Sequence, residues 1–404
     1  MSTHPPIPSS RRQFLRTVGR MSGAALVGFS TEARASTAKV IETKVISQVP
    51  QYYHGWPTLA RRKDGTLLVV CSGGRQKHVC PFGRVELIVS HDDGKTWSWP
   101  RTLLDTDIDD RDAGVVETPK GSLLATTFTS LYYEQFLTQA EGGKFNHFVT
   151  AETLPGWKAA HERVSAEERQ KLLGEWVIRS TDGGLTWSAP VPSIVGSPHG
   201  PVALKDGRML YLGKEAYTDA KRVGACESTD DGQSWQWLGG IPTREGDDAA
   251  KNYWELHAVE ADDGTIIAHI RVEGKIANSG ETLQSESKDG GKTWSEPHSI
   301  GVWGLPSHLL KLNDGRLLMT YGHRRAPFGN QVRLSEDNGK TWGEAIVVSG
   351  DGAGVDLGYP STAQLADGSL LTVWYESMNG GKDWNETHGG TGMAVLRQAH
   401  WTLP

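Results

Sequence analysis

The sequence predicts an all-β fold: a six-bladed β-propeller of four-stranded blades, with a helical insertion in blade two. Three observations lead there. An eight-residue phrase, Ser-x-Asp-x-Gly-x-(Thr/Ser)-Trp, is written five times. A turn dipeptide, Asp-Gly or Lys-Gly, recurs six times between short apolar runs. The 404 residues also include 48 Gly and 15 Trp, a composition of tight turns and large apolar plugs. Units of this kind bury their faces only against neighbouring units, and four-stranded units repeated around an axis make a propeller.

The first element is an address. Ser10-Arg11-Arg12-Gln13-Phe14-Leu15-Arg16 has the form of a twin-arginine export signal. A weakly apolar stretch follows from Met21 to Phe29, and Ala33-Arg34-Ala35 has the small-x-small form of a cleavage site. Residues 1–35 are therefore expected to be a signal peptide, and 36–404 the propeller, periplasmic or secreted. No later apolar run approaches the roughly 20 residues that span a bilayer. The formal charge of −6 offers no basic footprint for nucleic acid. Lys39 to Val49 is expected to supply the strand that closes the ring.

The units then follow in order. Their inner turns are Asp64-Gly65, Lys120-Gly121, Asp206-Gly207, Asp263-Gly264, Asp314-Gly315 and Asp367-Gly368. The boxes run Ser90 to Trp97, Ser180 to Trp187, Ser228 to Trp235, Ser287 to Trp294 and Ser335 to Trp342, and the sixth unit has none. In each box Asp is suited to bond the turn backbone, Gly to take the special dihedral angles, and Trp to fold back as a plug. The long gap between the first two boxes holds Trp157 to Gly174, whose Ala, Glu, Lys and Leu content predicts helix. Cys71, Cys80 and Cys226 leave at least one thiol unpaired within the chain; a Cys71–Cys80 bridge is open, and a four-Cys zinc site is excluded.

Function should lie where the inner strands begin. Nine residues before each inner-turn Gly stand Trp56, Asp112, Pro198, Glu255, Pro306 and Tyr359. Ordinary core positions rarely collect Asp, Glu and Tyr at equivalent places, and blades two, four and six should bring these three around one axis. His54, His199, His257 and His308 cluster near the same strand starts and are expected to form a polar mouth. They are suited to sugar hydroxyls or to proton transfer; their spacing does not make metal the leading idea.

The five boxes resemble the Asp-box repeats of the sialidase superfamily, and six units match its six-bladed propeller, over essentially all of Lys39 to Pro404. The resemblance implies a site Asp in blade two, a Glu in blade four and a Tyr in blade six, positions held by Asp112, Glu255 and Tyr359. It makes Tyr359 the nucleophile and Glu255 its base. Gly358-Tyr359-Pro360-Ser361 followed by Trp374-Tyr375-Glu376 also resembles the superfamily's last blade. A neutral phenol avoids the repulsion that a carboxylate nucleophile meets at an anomeric carbon already bearing a carboxylate. The resemblance further implies three arginines clamping that carboxylate. Arg271 matches the second, and Arg324 or Arg325 lies near the third. The first is missing, since Gly55 stands in its place before Trp56-Pro57; Arg75, at a neighbouring strand end, is the candidate substitute. The superfamily's acid/base Asp is missing from the loop Gly73 to Cys80. His78 is the residue there suited to proton transfer, with Asp109 and Asp110 in the next loop as alternatives.

Three readings compete. The first is a retaining, sialidase-like glycosidase that needs no cofactor and removes a terminal acidic sugar, sialic acid or a related uronic or keto-sugar acid, from a glycan. The second is a polysaccharide lyase on uronic-acid glycans, with His54, His257, Tyr359 and Arg271 as base, acid and carboxylate neutraliser. The third is a non-catalytic glycan-binding propeller, since fold does not fix function.

Overall fold

The computed structural model describes residues 36–49, 51–378 and 393–404. The expected signal segment lies outside the described residues. The remainder is the all-β propeller, with six sheets around one axis. Blade one runs Tyr53–Arg61, Leu67–Arg75, Arg84–Ser90 and Arg101–Leu104 from the axis outward. Blades two to five repeat that inside-to-outside order, each strand antiparallel to the last. In blade six the outermost strand, Lys39–Val45, comes from the other end of the chain and pairs with Ala394–Thr402. The closing strand thus falls where the sequence puts it. Ser36–Thr37 adds a short parallel strand to the edge of blade five.

The boxes do the work their residue types suggest. In the first, Ser90 Oγ donates to Asp92 Oδ1 at 2.8 Å and accepts from Gly94 N at 2.9 Å. Asp92 then accepts from the Thr96 amide at 2.9 Å and hydroxyl at 2.7 Å. The same pattern recurs in the other four boxes. These bonds, the Thr96 amide's first, hold the Asp92 carboxyl down at about 2. Each box Trp packs into the apolar seam between its own blade and the preceding one: Trp97 between blades six and one, Trp187, Trp235, Trp294 and Trp342 in the seams that follow. The seam between blades five and six has no box, and Trp401, fully buried, fills it instead.

The inner turns latch to their neighbours. The backbone amides of Lys63, Lys205 and Asn313 donate to Glu117, Glu260 and Gln364, at the foot of the next blade's inner strand. Near the axis the strands crowd so closely that a Cβ on Gly114 would stand 2.6 Å from Gly200. Only glycine fits there.

The insertion in blade two is longer than its helical composition suggests. Three helices, Glu134–Glu141, Leu154–His161 and Ala166–Leu172, separate that blade's second and third strands. The first escapes a composition-based reading because Gln, Thr and Phe dilute it. Its buried face is nonetheless apolar, joining Tyr133, Leu137, Phe148 and Trp157 to Val79 and Cys80 of blade one. Cys71, Cys80 and Cys226 are all buried free thiols, so the Cys71–Cys80 bridge does not form.

Candidate active site

The site begins with a backbone kink. Trp56, Asp112, Glu255 and Tyr359 have φ of 52°, 38°, 49° and 52°, in the left-handed region that non-glycine residues rarely occupy. At each the pairing of the inner strand with the second strand slips: between Gly55 and Thr58, Arg111 and Gly114, Trp254 and His257, Gly358 and Ser361. These are β-bulges, which re-aim a side chain out of the pleat. The two remaining blades have Pro198 and Pro306 at this position, and proline holds φ near −65°. The equivalence seen in the sequence is therefore a shared local conformation. Its product is a cavity of about 770 Å³ at one end of the axis, lined by Trp56, Asp112, Glu255 and Tyr359 among others.

Within the cavity, Tyr359 OH donates to Glu255 Oε1. Arg271 Nη1 donates to Glu255 Oε2 and, at 3.0 Å, to the Tyr359 oxygen, while its Nη2 donates to Glu273. Burial, and then the Glu255 charge, push the Tyr359 phenol well above its ordinary range. The phenol therefore stays protonated at neutral pH. Asp112, only 7% exposed, is pushed up to about 7 by burial, with the Glu255 charge adding to the rise and Arg111 opposing it. A carboxyl in that range is a proton donor at neutral pH.

Arg324 and Arg325 separate cleanly. Arg324 lines the cavity, donates from Nε to Leu357 O at 2.8 Å, and stands 5.7 Å from the Tyr359 ring centroid. Arg325 stacks on Trp303 at 3.7 Å, outside the cavity lining. Arg75 does not reach the cavity either. It is fully buried and gives both terminal nitrogens to Asp109, at 2.6 and 3.0 Å. Asp109 is thereby consumed, and Asp110 is buried and bonded to the Thr106 amide and hydroxyl. Both belong to the inner strand of blade two rather than to an exposed loop.

His78 does line the cavity. Its Nδ1 lies 2.8 Å from Tyr53 OH and 3.3 Å from Asp356 Oδ1. Tyr53 OH and Tyr375 OH both donate to Asp356. Burial lowers the His78 pKa, with the Asp356 charge opposing. The helical insertion fixes this loop from behind through Trp157 Nε1, which donates to Gln76 Oε1 at 3.1 Å.

The other four histidines do not form a mouth. His199, His257 and His308 pack ring against ring along the axis, with centroids 4.7 to 5.4 Å apart, lining a second cavity of about 400 Å³. Burial keeps all three neutral, His308 at about 3. His257 and His308 come two residues after Glu255 and Pro306, a step of roughly 7 Å along a strand, which carries them below the bulge. His54 is buried at the edge of blade one, its Nδ1 3.1 Å from Tyr52 O. Neither His54 nor His257 lines the cavity with Tyr359, so the two histidines of the lyase reading stand apart from its tyrosine. Among the described residues no group of His, Cys, Asp and Glu is arranged to hold a metal ion.

Several cavity residues escape the sequence reading. Arg111 lays its guanidinium over Trp56, 4.4 Å from the ring centroid, and donates to His78 O at 3.1 Å. It supplies a cation on the wall where the resemblance calls for an arginine at Gly55. Its adjacency to Asp112 is the signal. Phe128, Lys214 and Tyr375 also line the cavity. All three stand seven residues after an inner-turn Gly, as Arg271 does, so extending the blade alignment to the second strand picks them out.

Residues 135–373 match the BNR repeat-like domain family. The chain belongs to that family. A sialidase of Bacteroides fragilis is 26% identical to this BNR-repeat propeller over 360 residues, covering 80% of this chain and 59% of the relative. The chain thus spans less than two thirds of the curated relatives it matches. Among solved structures, a Dyadobacter fermentans protein of unknown function superposes with a TM-score of 0.68 at 20% identity, covering 91% of this chain and 99% of the other. A Hadza microbial sialidase gives 0.60 at 16%, covering 86% and 66%. At these identities the structural likeness establishes the sialidase-like fold.

The buried imidazoles make stability depend on pH. A histidine whose folded pKa is depressed binds fewer protons folded than unfolded, so stability is full above the unfolded value and falls as pH drops below it. The axial histidines are expected to pull the melting temperature down from pH 6.5 to 5, against the raised carboxyls of Asp110, Asp112 and Glu175, which favour the folded state as pH drops. His199→Asn should flatten that slope; an unchanged slope would show that the axial histidines do not carry it.

Proposed function

We propose that this propeller is a retaining exo-glycosidase that removes a terminal acidic sugar, of the sialic-acid type, from glycans. The observation that carries the reading is the hydrogen-bonded set Tyr359–Glu255–Arg271 inside the cavity. Arg271, Arg324 and Arg111 present guanidinium charge to the substrate carboxylate. Glu255 accepts the phenol proton as Tyr359 oxygen bonds to the anomeric carbon, and Asp112 gives its proton to the departing glycosidic oxygen. In the second half Asp112 takes a proton from water, water oxygen bonds to the anomeric carbon, and the phenol leaves with the proton that Glu255 returns. Configuration is retained after two inversions.

Purified protein is expected to release fluorophore from an α-sialoside, and Tyr359→Phe should lower kcat/KM by about 10³-fold or more. Because Asp112 must be protonated to act, kcat/KM should decline as pH rises through 7. Asp112→Asn should remove that decline along with most of the rate. Equal binding and behaviour of parent and Tyr359→Phe, without turnover, would point to a glycan-binding propeller instead.

We also infer export by the twin-arginine route, on the strength of Arg11-Arg12-Gln13-Phe14-Leu15 and Ala33-Arg34-Ala35. N-terminal sequencing of the protein from the periplasm or medium should begin at Ser36. Uncleaved chain confined to the cytoplasm would contradict it.

A further inference from the structure

Lys214 is a charged group of the cavity that this chemistry leaves unused. It ends the second strand of blade three, in the register that Arg271 holds in blade four. Although a lysine, it is only 3% exposed. Its ammonium sits 3.4 Å from the Trp254 ring centroid and donates to Ala250 O. Among the described residues, no carboxylate lies within ion-pair distance of it, whereas Arg271 has two. Burying an ammonium without a counter-charge is costly, and proteins usually avoid it. Burial accordingly draws the Lys214 pKa down to about 8, and an arriving anion relieves that penalty.

We propose that Lys214 recognises a second anionic group on the substrate, a carboxylate or sulfate carried by the sugar next to the one released. The inference rests on the glycosidase reading and narrows its substrate class to glycans with two acidic groups on adjacent sugars. Space allows it: about 770 Å³ lies within the range of cavities that take a drug-sized ligand. Position allows it too. The arginines that suit the terminal carboxylate come from blades two, four and five, and Lys214 enters separately from blade three. Tyr217 and Tyr132, 40% and 58% exposed, line the same cavity and are residue types suited to stacking on a sugar ring.

The test is an array of glycans probed with the Tyr359→Phe protein, which should bind without cleaving. The array carries sialosides on neutral galactose, sialosides on 6-sulfated galactose, α2,8-linked sialic acid dimers and uncharged oligosaccharides. The doubly anionic glycans should bind at least about tenfold tighter than the singly anionic ones, the gain expected of a charged hydrogen bond. Adding Lys214→Met should abolish the preference and Lys214→Arg keep most of it, with unchanged melting curves showing that both variants fold. Preference for sulfate over carboxylate, or the reverse, identifies the group. Equal binding of singly and doubly anionic glycans, or a preference that survives Lys214→Met, would overturn the inference while leaving the glycosidase reading intact. Binding of no acidic glycan at all would overturn both.

Discussion

The site depends on a left-handed kink repeated at the head of four inner strands. A strand alternates its side chains between two faces, so a regular strand end would send Asp112, Glu255 and Tyr359 into the seams between blades. The bulge turns each one into the axial cavity instead. A non-glycine residue in this region costs on the order of 1–3 kcal/mol. The surrounding fold holds all four in place, with buried apolar seams on both sides of each blade and box hydrogen bonds fixing the rim. A rigid ring is what allows strained positions to be shared among blades that are far apart in sequence.

The chemistry follows from what the kinks bring together. Tyr359 and Glu255, 104 residues apart, share a proton beneath a guanidinium that bonds to both. Burial works in the same direction on the phenol and on the Asp112 carboxyl, raising both. It keeps the phenol neutral, and it holds the Asp112 carboxyl up at about 7. On the proposed mechanism, one low-dielectric pocket thus suits both a nucleophile and an acid, with the Glu255 charge raising the phenol and the Asp112 carboxyl alike.

Much of this is legible in the sequence because propellers repeat. Box and turn spacing locate the blades, and a fixed offset from the inner-turn Gly picks out the kinked residues by count alone. The axial histidines mislead because they lie one or two residues past that offset, and so short a step separates a cavity wall from an axial plug. Arg75 shows a second limit. A strand-end arginine looks the same in sequence whether it faces ligand or, as here, pairs with Asp109 inside the wall. Lys214 and Arg111 escape for the opposite reason: first strands alone do not account for the wall, since second strands and bulge neighbours also line the cavity.

The nucleophile is tested most directly by trapping the bond it forms. A 3-fluorosialosyl fluoride slows departure of the sugar from the enzyme, so the protein incubated with it should gain one fluorosugar by mass spectrometry. Proteolysis should then place that mass on the peptide containing Tyr359, and the label should disappear in Tyr359→Phe. A label on Glu255, or steady turnover of an α-sialoside without any covalent adduct, would contradict Tyr359 as the nucleophile.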